Sequence, residues 1–213
     1  MTSSERALRA RLVAAAQRLS VLGLNQGKSG NVSVRAGDAF LVTPSGKSYD
    51  SLGAGDVVLV GKDGDASGAH KPSSEWRLHR DIYGRHSDAG AVVHTHSPYA
   101  TTLACLHRGI PSFHYEVAFA GGKDIRCAGY ATFGTQELSD LAIAALEGRK
   151  ACLLANHGVV AHAEDLEDAV GLAEKVESLA RLYWQALQIA EPVLLDEVEM
   201  NKVVEKFKQY GRR

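Results

Sequence analysis

The stretch Ala91-Val92-Val93-His94-Thr95-His96 decides how this chain is read. Three apolar residues lead into two histidines one residue apart. In a strand, alternate side chains share a face, so His94 and His96 point the same way. Two imidazoles on one face can grip one metal ion. A second apolar run, Ala151-Cys152-Leu153-Leu154-Ala155, ends in Asn156-His157-Gly158. A third segment, Pro72-Ser73-Ser74-Glu75, brings one acid into a helix start. Three imidazoles and one carboxylate form a sensible ligand set for Zn²⁺ or a similar divalent ion. His157 sits among apolar neighbours, where a polar ring needs a partner, and a metal supplies one.

Working outward, helices and short strands interleave along the whole chain. Leu8, Leu12, Ala15, Ala16 and Leu19 make a helical stripe that ends near Gly23. Val32-Ser33-Val34, Ala39–Thr43 and Val57–Val60 read as strands, and Asp63-Gly64 as a hairpin turn. A helix is expected from about Ser74 to Arg85, capped by Ser73 or Ser74. Ser97 caps another, with Pro98 at its first position, ending near Gly109. Thr135 caps a fourth helix that stops before Gly148. A long helix runs from about Asp165 to Ala190, and a last one from about Asp196 to Tyr210. The pattern is α/β, helices layered on a sheet, in a single domain spanning residues 1–213. Periodicity alone leaves strand direction open.

Composition narrows the function. The chain has 213 residues, 45% hydrophobic and 23% charged, enough for a substantial core. Its net charge of −1 and lack of a Lys/Arg run argue against nucleic acid or an anionic membrane as partner. No segment reaches the roughly 20 apolar residues of a membrane span. The N-terminal residues start a charged amphipathic helix without a signal-peptide core, and the three cysteines lack CxxC spacing. These features lead to the expectation of a cytoplasmic protein with reduced thiols.

Three turns have the chemistry of anion sites. Gly30-Asn31 and Ser45-Gly46 can turn backbone N–H groups outward. Ser73 and Ser74 stand at a helix start, where free N–H groups and hydroxyls favour phosphate. Beside a metal, they suggest a phosphorylated small molecule.

Six motifs then fall in a recognisable order: Ser29-Gly30-Asn31-Val32-Ser33, Thr43-Pro44-Ser45-Gly46, Pro72-Ser73-Ser74-Glu75-Trp76-Arg77, His94-Thr95-His96, Ala131-Thr132-Phe133-Gly134-Thr135 and Asn156-His157-Gly158. In this order they resemble the class II, zinc-dependent sugar-phosphate aldolases, most of all the L-fuculose-1-phosphate aldolase branch. The resemblance implies a three-layer α/β/α sandwich with a largely antiparallel central sheet. It implies Zn²⁺ on His94, His96 and His157. Glu75 is implied as catalytic acid/base and as a metal ligand before substrate arrives. Gly30, Asn31, Ser45, Gly46, Ser73 and Ser74 would hold the substrate phosphate. Tyr115 matches the proton donor to the aldehyde-derived oxygen, and Phe133 and Tyr210 match residues at the aldehyde end. The family's homotetramers place sites at subunit interfaces, so Tyr115 and Tyr210 would serve a neighbour's metal.

The activity so implied is cleavage of a ketose 1-phosphate to dihydroxyacetone phosphate and a short aldehyde such as lactaldehyde. L-ribulose-5-phosphate 4-epimerase or deoxypentulose-phosphate aldolase activity is the alternative on the same scaffold. A non-catalytic, adducin-like interaction module is the third reading, and the intact His94, His96, His157 and Glu75 argue against it. Lys47, Lys71 and Lys123 all lie in glycine- or proline-bearing turns, which disfavours a lysine-based aldolase.

Overall fold

The computed structural model describes residues 2–209. Its strands are β1 (Asn31–Ala36), β2 (Ala39–Val42), β3 (Val58–Val60), β4 (Ala66–Ser67), β5 (Ala91–Thr95), β6 (Cys127–Ala128), β7 (Ala151–Leu154) and β8 (Gly158–Ala163). They form one sheet in the order β4-β3-β2-β1-β5-β8-β7-β6. Every neighbouring pair is antiparallel except β6 and β7. The expected largely antiparallel sheet is therefore present. His96 falls one residue beyond the end of β5, so the strand is shorter than the quoted stretch.

Alternation along the strands feeds two cores. Val32, Val34, Leu41, Ala91, Val93, Leu153, Val159 and Ala161 face one side. There they meet α1 (Ser3–Val21), α3 (Pro98–Cys105) and α5 (Leu166–Leu187). Phe40, Val42, Val58, Val60, Val92, Leu154 and Val160 face the other side. They pack under α2 (Trp76–Arg85) and α4 (Gln136–Ala145). The result is the three-layer α/β/α arrangement. His94 shares the parity of Val92, so it points toward the α2 layer. A final helix, α6 (Glu197–Gln209), packs through buried Met200 against the first core. Among the described residues, no helix is long and apolar enough to cross a membrane.

Several helix ends follow local sequence. Thr135 Oγ1 accepts from Leu138 N at 3.2 Å and caps α4. Asp165 Oδ1 accepts from Asp168 N at 2.9 Å and caps α5. Two caps differ from expectation. The helix foreseen from Ser74 begins at Trp76, with Glu75 in the cap position. The Ser73 hydroxyl instead accepts from Glu75 N at 3.3 Å, shaping the turn before the helix. At α3, Ser97 holds the cap position but its buried hydroxyl makes no hydrogen bond. The cap comes from α5: the Glu177 carboxylate accepts from Tyr99 N and Ala100 N, each at 2.9 Å. A long-range carboxylate replaces a local hydroxyl because the anion suits the positive helix end better.

This cap ties the helix that follows His94 and His96 to the long helix across the layer. Replacing Glu177 by Ala leaves two N–H groups without their anion. We expect a loss of about 1.5–3 kcal/mol and a Tm lower by roughly 3–12 °C in a chain of this size, with Glu177→Gln falling between. Thermal unfolding measures it; an unchanged Tm for Glu177→Ala would remove the cap from the account.

Candidate active site and metal centre

The site forms where three chain segments meet at the ends of the central strands. β5 delivers His94 and His96. β8 runs antiparallel beside it, with Thr95 opposite Val159, so the β7–β8 turn brings His157 to the same end. That approach is very close. A side chain at Gly158 would stand 2.3 Å from Thr95 O and 3.0 Å from the His96 ring, so only glycine fits. Asn156 makes the turn with φ +53°, a left-handed conformation that asparagine tolerates better than most residues. Helix α2 then lays Glu75 against the β1 and β5 strand ends.

Four side chains converge. His94 Nε2 lies 3.0 Å from His96 Nε2 and 3.2 Å from Glu75 Oε2. His157 Nε2 lies 3.4 Å from Glu75 Oε1. The three imidazole planes stand 70–73° apart, with centroids 4.7–4.9 Å from one another. Tetrahedral coordination with bonds of about 2.0–2.1 Å requires donors about 3.3–3.4 Å apart. These three spacings are close to that edge, and the ligand atoms of the three histidines all lie within 4.8 Å of one another. His94 Nδ1–H donates to Val159 O at 2.9 Å, which leaves Nε2 with its lone pair toward the cluster. Glu75 Oε1 is buried and has no hydrogen-bond partner. The donor set fits a divalent cation, and the three histidines form a group able to hold one.

The electrostatics agree. Burial, reinforced by the neighbouring His94, lowers both His96 and His157 to about 4, so they are neutral and able to ligate near neutral pH. Burial would depress His94 too, but Glu75 against it more than offsets this and raises it. Burial would also raise Glu75. The adjacent His94 and His157, with the Asn31 amide, outweigh it and hold the carboxyl below the usual carboxylate range. Without a cation, Glu75 favours a proton on His94; a bound cation would take that proton's place at Nε2.

Above these residues opens a pocket of about 350 Å³. All six residues expected around a phosphate line it: Gly30, Asn31, Ser45, Gly46, Ser73 and Ser74. The segments bearing Ser45 and Ser73 are clamped together. Ser45 N donates to Lys71 O and Ser73 N to Thr43 O, both at 3.0 Å. Gly30 has φ +72°, and a Cβ there would strike Asn25 and His94 O at 2.4–2.5 Å. Phe133 lines the pocket and is exposed at its rim, together with Tyr130. Tyr115 does not line it. It is 48% exposed, in a short 3₁₀ segment over Tyr115–Ala120, and stacks on His114. Tyr210 lies outside the described residues.

Lys28, just before the Gly30-Asn31 turn, also lines the pocket and brings a cation to it. Sequence reasoning missed three contributors. Tyr130 joins Phe133 at the rim. Asn25, buried, accepts from His96 N through Oδ1 at 3.1 Å, and nothing local in the sequence marks it. His79 lies fully buried behind Glu75. Its signal was present: it follows Glu75 by four residues, one helical turn on the same face. The thiols play no part at the site. Cys105, Cys127 and Cys152 are free and do not line the pocket.

Residues 10–184 match the family model described as the class II aldolase and adducin N-terminal domain. The chain belongs to that family. This class II aldolase, an aldehyde-lyase, is 56% identical to the 5-methylthioribulose-1-phosphate/5-deoxyribulose-1-phosphate aldolase of Rhodospirillum rubrum, over 99% of this chain and 96% of the relative. It is 49% identical to the L-fuculose phosphate aldolase of Escherichia coli, over 90% of each chain. It is 41% identical to the 5-deoxy-D-ribulose 1-phosphate aldolase of Bacillus thuringiensis, over 96% of this chain and 97% of the relative. A solved L-fuculose 1-phosphate aldolase superposes with a TM-score of 0.93 at 40% identity, covering 98% of both chains.

The donor geometry makes metal content the direct check on this class II aldolase's site. Protein purified without chelator should carry about one divalent ion per chain, and His96→Ala should lose it while staying folded. Elemental analysis with circular dichroism reads both. Full metal retention in His96→Ala would rule out this cluster as the centre.

Proposed function

We propose that this enzyme is a zinc-dependent aldolase of ketose 1-phosphates, releasing dihydroxyacetone phosphate and a short aldehyde whose far end is apolar. The observation that carries the reading is the placement of a three-histidine, one-carboxylate cluster at the floor of a pocket walled by the Gly30, Ser45 and Ser73 turns. His94, His96, His157 and Glu75 would hold the Zn²⁺. When bound, the ion supplies Lewis-acid stabilisation of the charge that develops on the ketone side, worth several kcal/mol.

The chain's own residues do the rest. Backbone N–H groups and hydroxyls of the three turns hold the phosphate, with Lys28 as the nearby cation. In the synthetic direction, Glu75 takes the proton from the carbon of dihydroxyacetone phosphate that forms the new bond. Tyr115 gives its phenolic proton to the aldehyde oxygen. Cleavage runs the same transfers in reverse. Because Tyr115 is away from its own pocket, it acts at the site of a neighbouring copy, and the working form is a homotetramer with sites at subunit interfaces. Tyr210 is assigned to the same aldehyde end by resemblance. The enzyme is assigned to the cytoplasm on its free thiols.

The aldehyde follows from the rim. Tyr130 and Phe133 present apolar rings where the leaving fragment departs. The 56% identity to an aldolase of 5-deoxy- and 5-methylthioribulose 1-phosphate, against 49% to a fuculose phosphate aldolase, favours 5-substituted pentulose 1-phosphates over L-fuculose 1-phosphate. These substrates end in a methyl or methylthio group. A coupled assay for dihydroxyacetone phosphate across these three sugars should give the highest kcat/KM with the pentulose phosphates and none with unphosphorylated sugar. A clear preference for L-fuculose 1-phosphate would reverse the assignment.

Two substitutions test the proton transfers. Glu75→Gln should keep the fold and lower turnover by roughly 10²–10⁴-fold, since an amide cannot accept the proton. Metal content is measured on the same sample. Tyr115→Phe should slow cleavage in the same range but spare hydrogen exchange on dihydroxyacetone phosphate alone. Subunits of the two variants, once mixed and exchanged, should regain activity. Proven exchange without recovery would place Glu75 and Tyr115 in one chain's site.

A further inference from the structure

Behind Glu75 runs a buried chain of polar groups that the proton transfers above do not use. Asn31 Nδ2 lies 2.9 Å from Glu75 Oε2. Asn31 Oδ1 is hydrogen-bonded to His79 Nε2. His79 Nδ1 lies 2.6 Å from Ser33 Oγ, which lies 2.7 Å from Tyr83 Oη. His79 and Ser33 are completely buried, and Asn31 and Tyr83 nearly so. The chain crosses from the inner strand β1 to helix α2 twice.

Chemistry fixes the direction of every link. A carboxylate only accepts, so the Asn31 amide nitrogen donates to Oε2. The Asn31 carbonyl oxygen is thereby left facing His79, and His79 Nε2 must carry a hydrogen to meet it. Complete burial keeps this imidazole neutral, down to about 3, so Nδ1 is bare. Ser33 must then donate to Nδ1, and its oxygen accepts from the Tyr83 phenol. Tyr83, Ser33, His79 and Asn31 are polarised one way, ending on one oxygen of Glu75. Each link strengthens the next in a low-dielectric interior.

We infer that His79 is a positioning residue for Glu75: its Nε2–H tautomer, selected by Ser33, holds the Asn31 amide with its nitrogen toward the carboxylate. This commits Oε2 as a fixed acceptor and leaves Oε1 as the oxygen that works on substrate. Oε1 has the matching signature, buried with no hydrogen-bond partner of its own. One N–H and the carbonyl oxygen of the Asn31 side chain are committed to this duty. The inference builds on Glu75 as the acid/base.

The test begins without turnover. Nitrogen-15 NMR of imidazole-labelled protein at neutral pH should show His79 protonated at Nε2 and bare at Nδ1. The opposite tautomer, or an imidazolium, overturns the inference whatever the substrate proves to be. Kinetics follow on a substrate the wild type cleaves. His79→Leu should lower kcat by roughly 10–100-fold, the range for groups that orient a metal site's ligands, with KM little changed. His79→Gln keeps an N–H where Nε2 stood and should recover most of the loss. Ser33→Ala is the milder variant if His79→Leu does not fold, and should also lower kcat with KM kept. Equal rates in His79→Leu and wild type, or equal losses in the Leu and Gln variants, would reduce the chain to a packing role. If Glu75→Gln keeps its rate, the acid/base assignment fails instead, while the tautomer result stands.

Discussion

The rest of the structure depends on one buried carboxylate. Glu75 is 6% exposed, beside a fully buried imidazole. Placing an unpaired charge there would cost several kcal/mol. The fold compensates on each side: the Asn31 amide behind, His94 and His157 in front. That requirement dictates the neighbourhood. α2 must start at the end of β1 so that Asn31 reaches Glu75. β5 and β8 must pair in the register that puts His157 beside His96. Gly30 and Gly158 must lack side chains because the backbones around the cluster approach within the space of a Cβ. Stability and chemistry therefore share one set of atoms, and a cation at the cluster would satisfy both.

The sandwich explains why such a site can be open and still rigid. The histidines of the cluster stand at the ends of strands in the middle of an eight-stranded sheet, with helices on both faces. The turns that wall the pocket are loops, yet the Thr43–Ser45 and Lys71–Ser73 backbones are bonded to each other. Loops fixed in this way can present N–H groups at a constant position. At the rim, Tyr130 and Phe133 are exposed and make no part of the clamped floor.

Much of this was legible in the sequence for physical reasons. His94 and His96 are two apart where β5 ends, so period two placed them together. Thr135 and Asp165 lie directly before apolar periodic runs, and local capping was enough to set those helix starts. The three anion turns carried glycine or serine where a turn needs them. What escaped reading depended on contacts distant in sequence. Glu177 caps a helix nearly eighty residues away, in place of the local Ser97. Asn25 fixes the His96 backbone across seventy-one residues. Strand direction could not come from side-chain alternation, which is the same either way; the resemblance supplied it. The ordered set of motifs, and no single one, carried the reading of the family.

X-ray absorption at the zinc edge tests the central claim most directly, on wild-type protein reconstituted with Zn²⁺ and without substrate. The account predicts a first shell of nitrogen and oxygen donors only, at about 2.0–2.1 Å, with the outer-shell scattering of three imidazoles. A sulfur scatterer at about 2.3 Å, or a shell with a single imidazole, would place the metal elsewhere and contradict the assignment of His94, His96, His157 and Glu75.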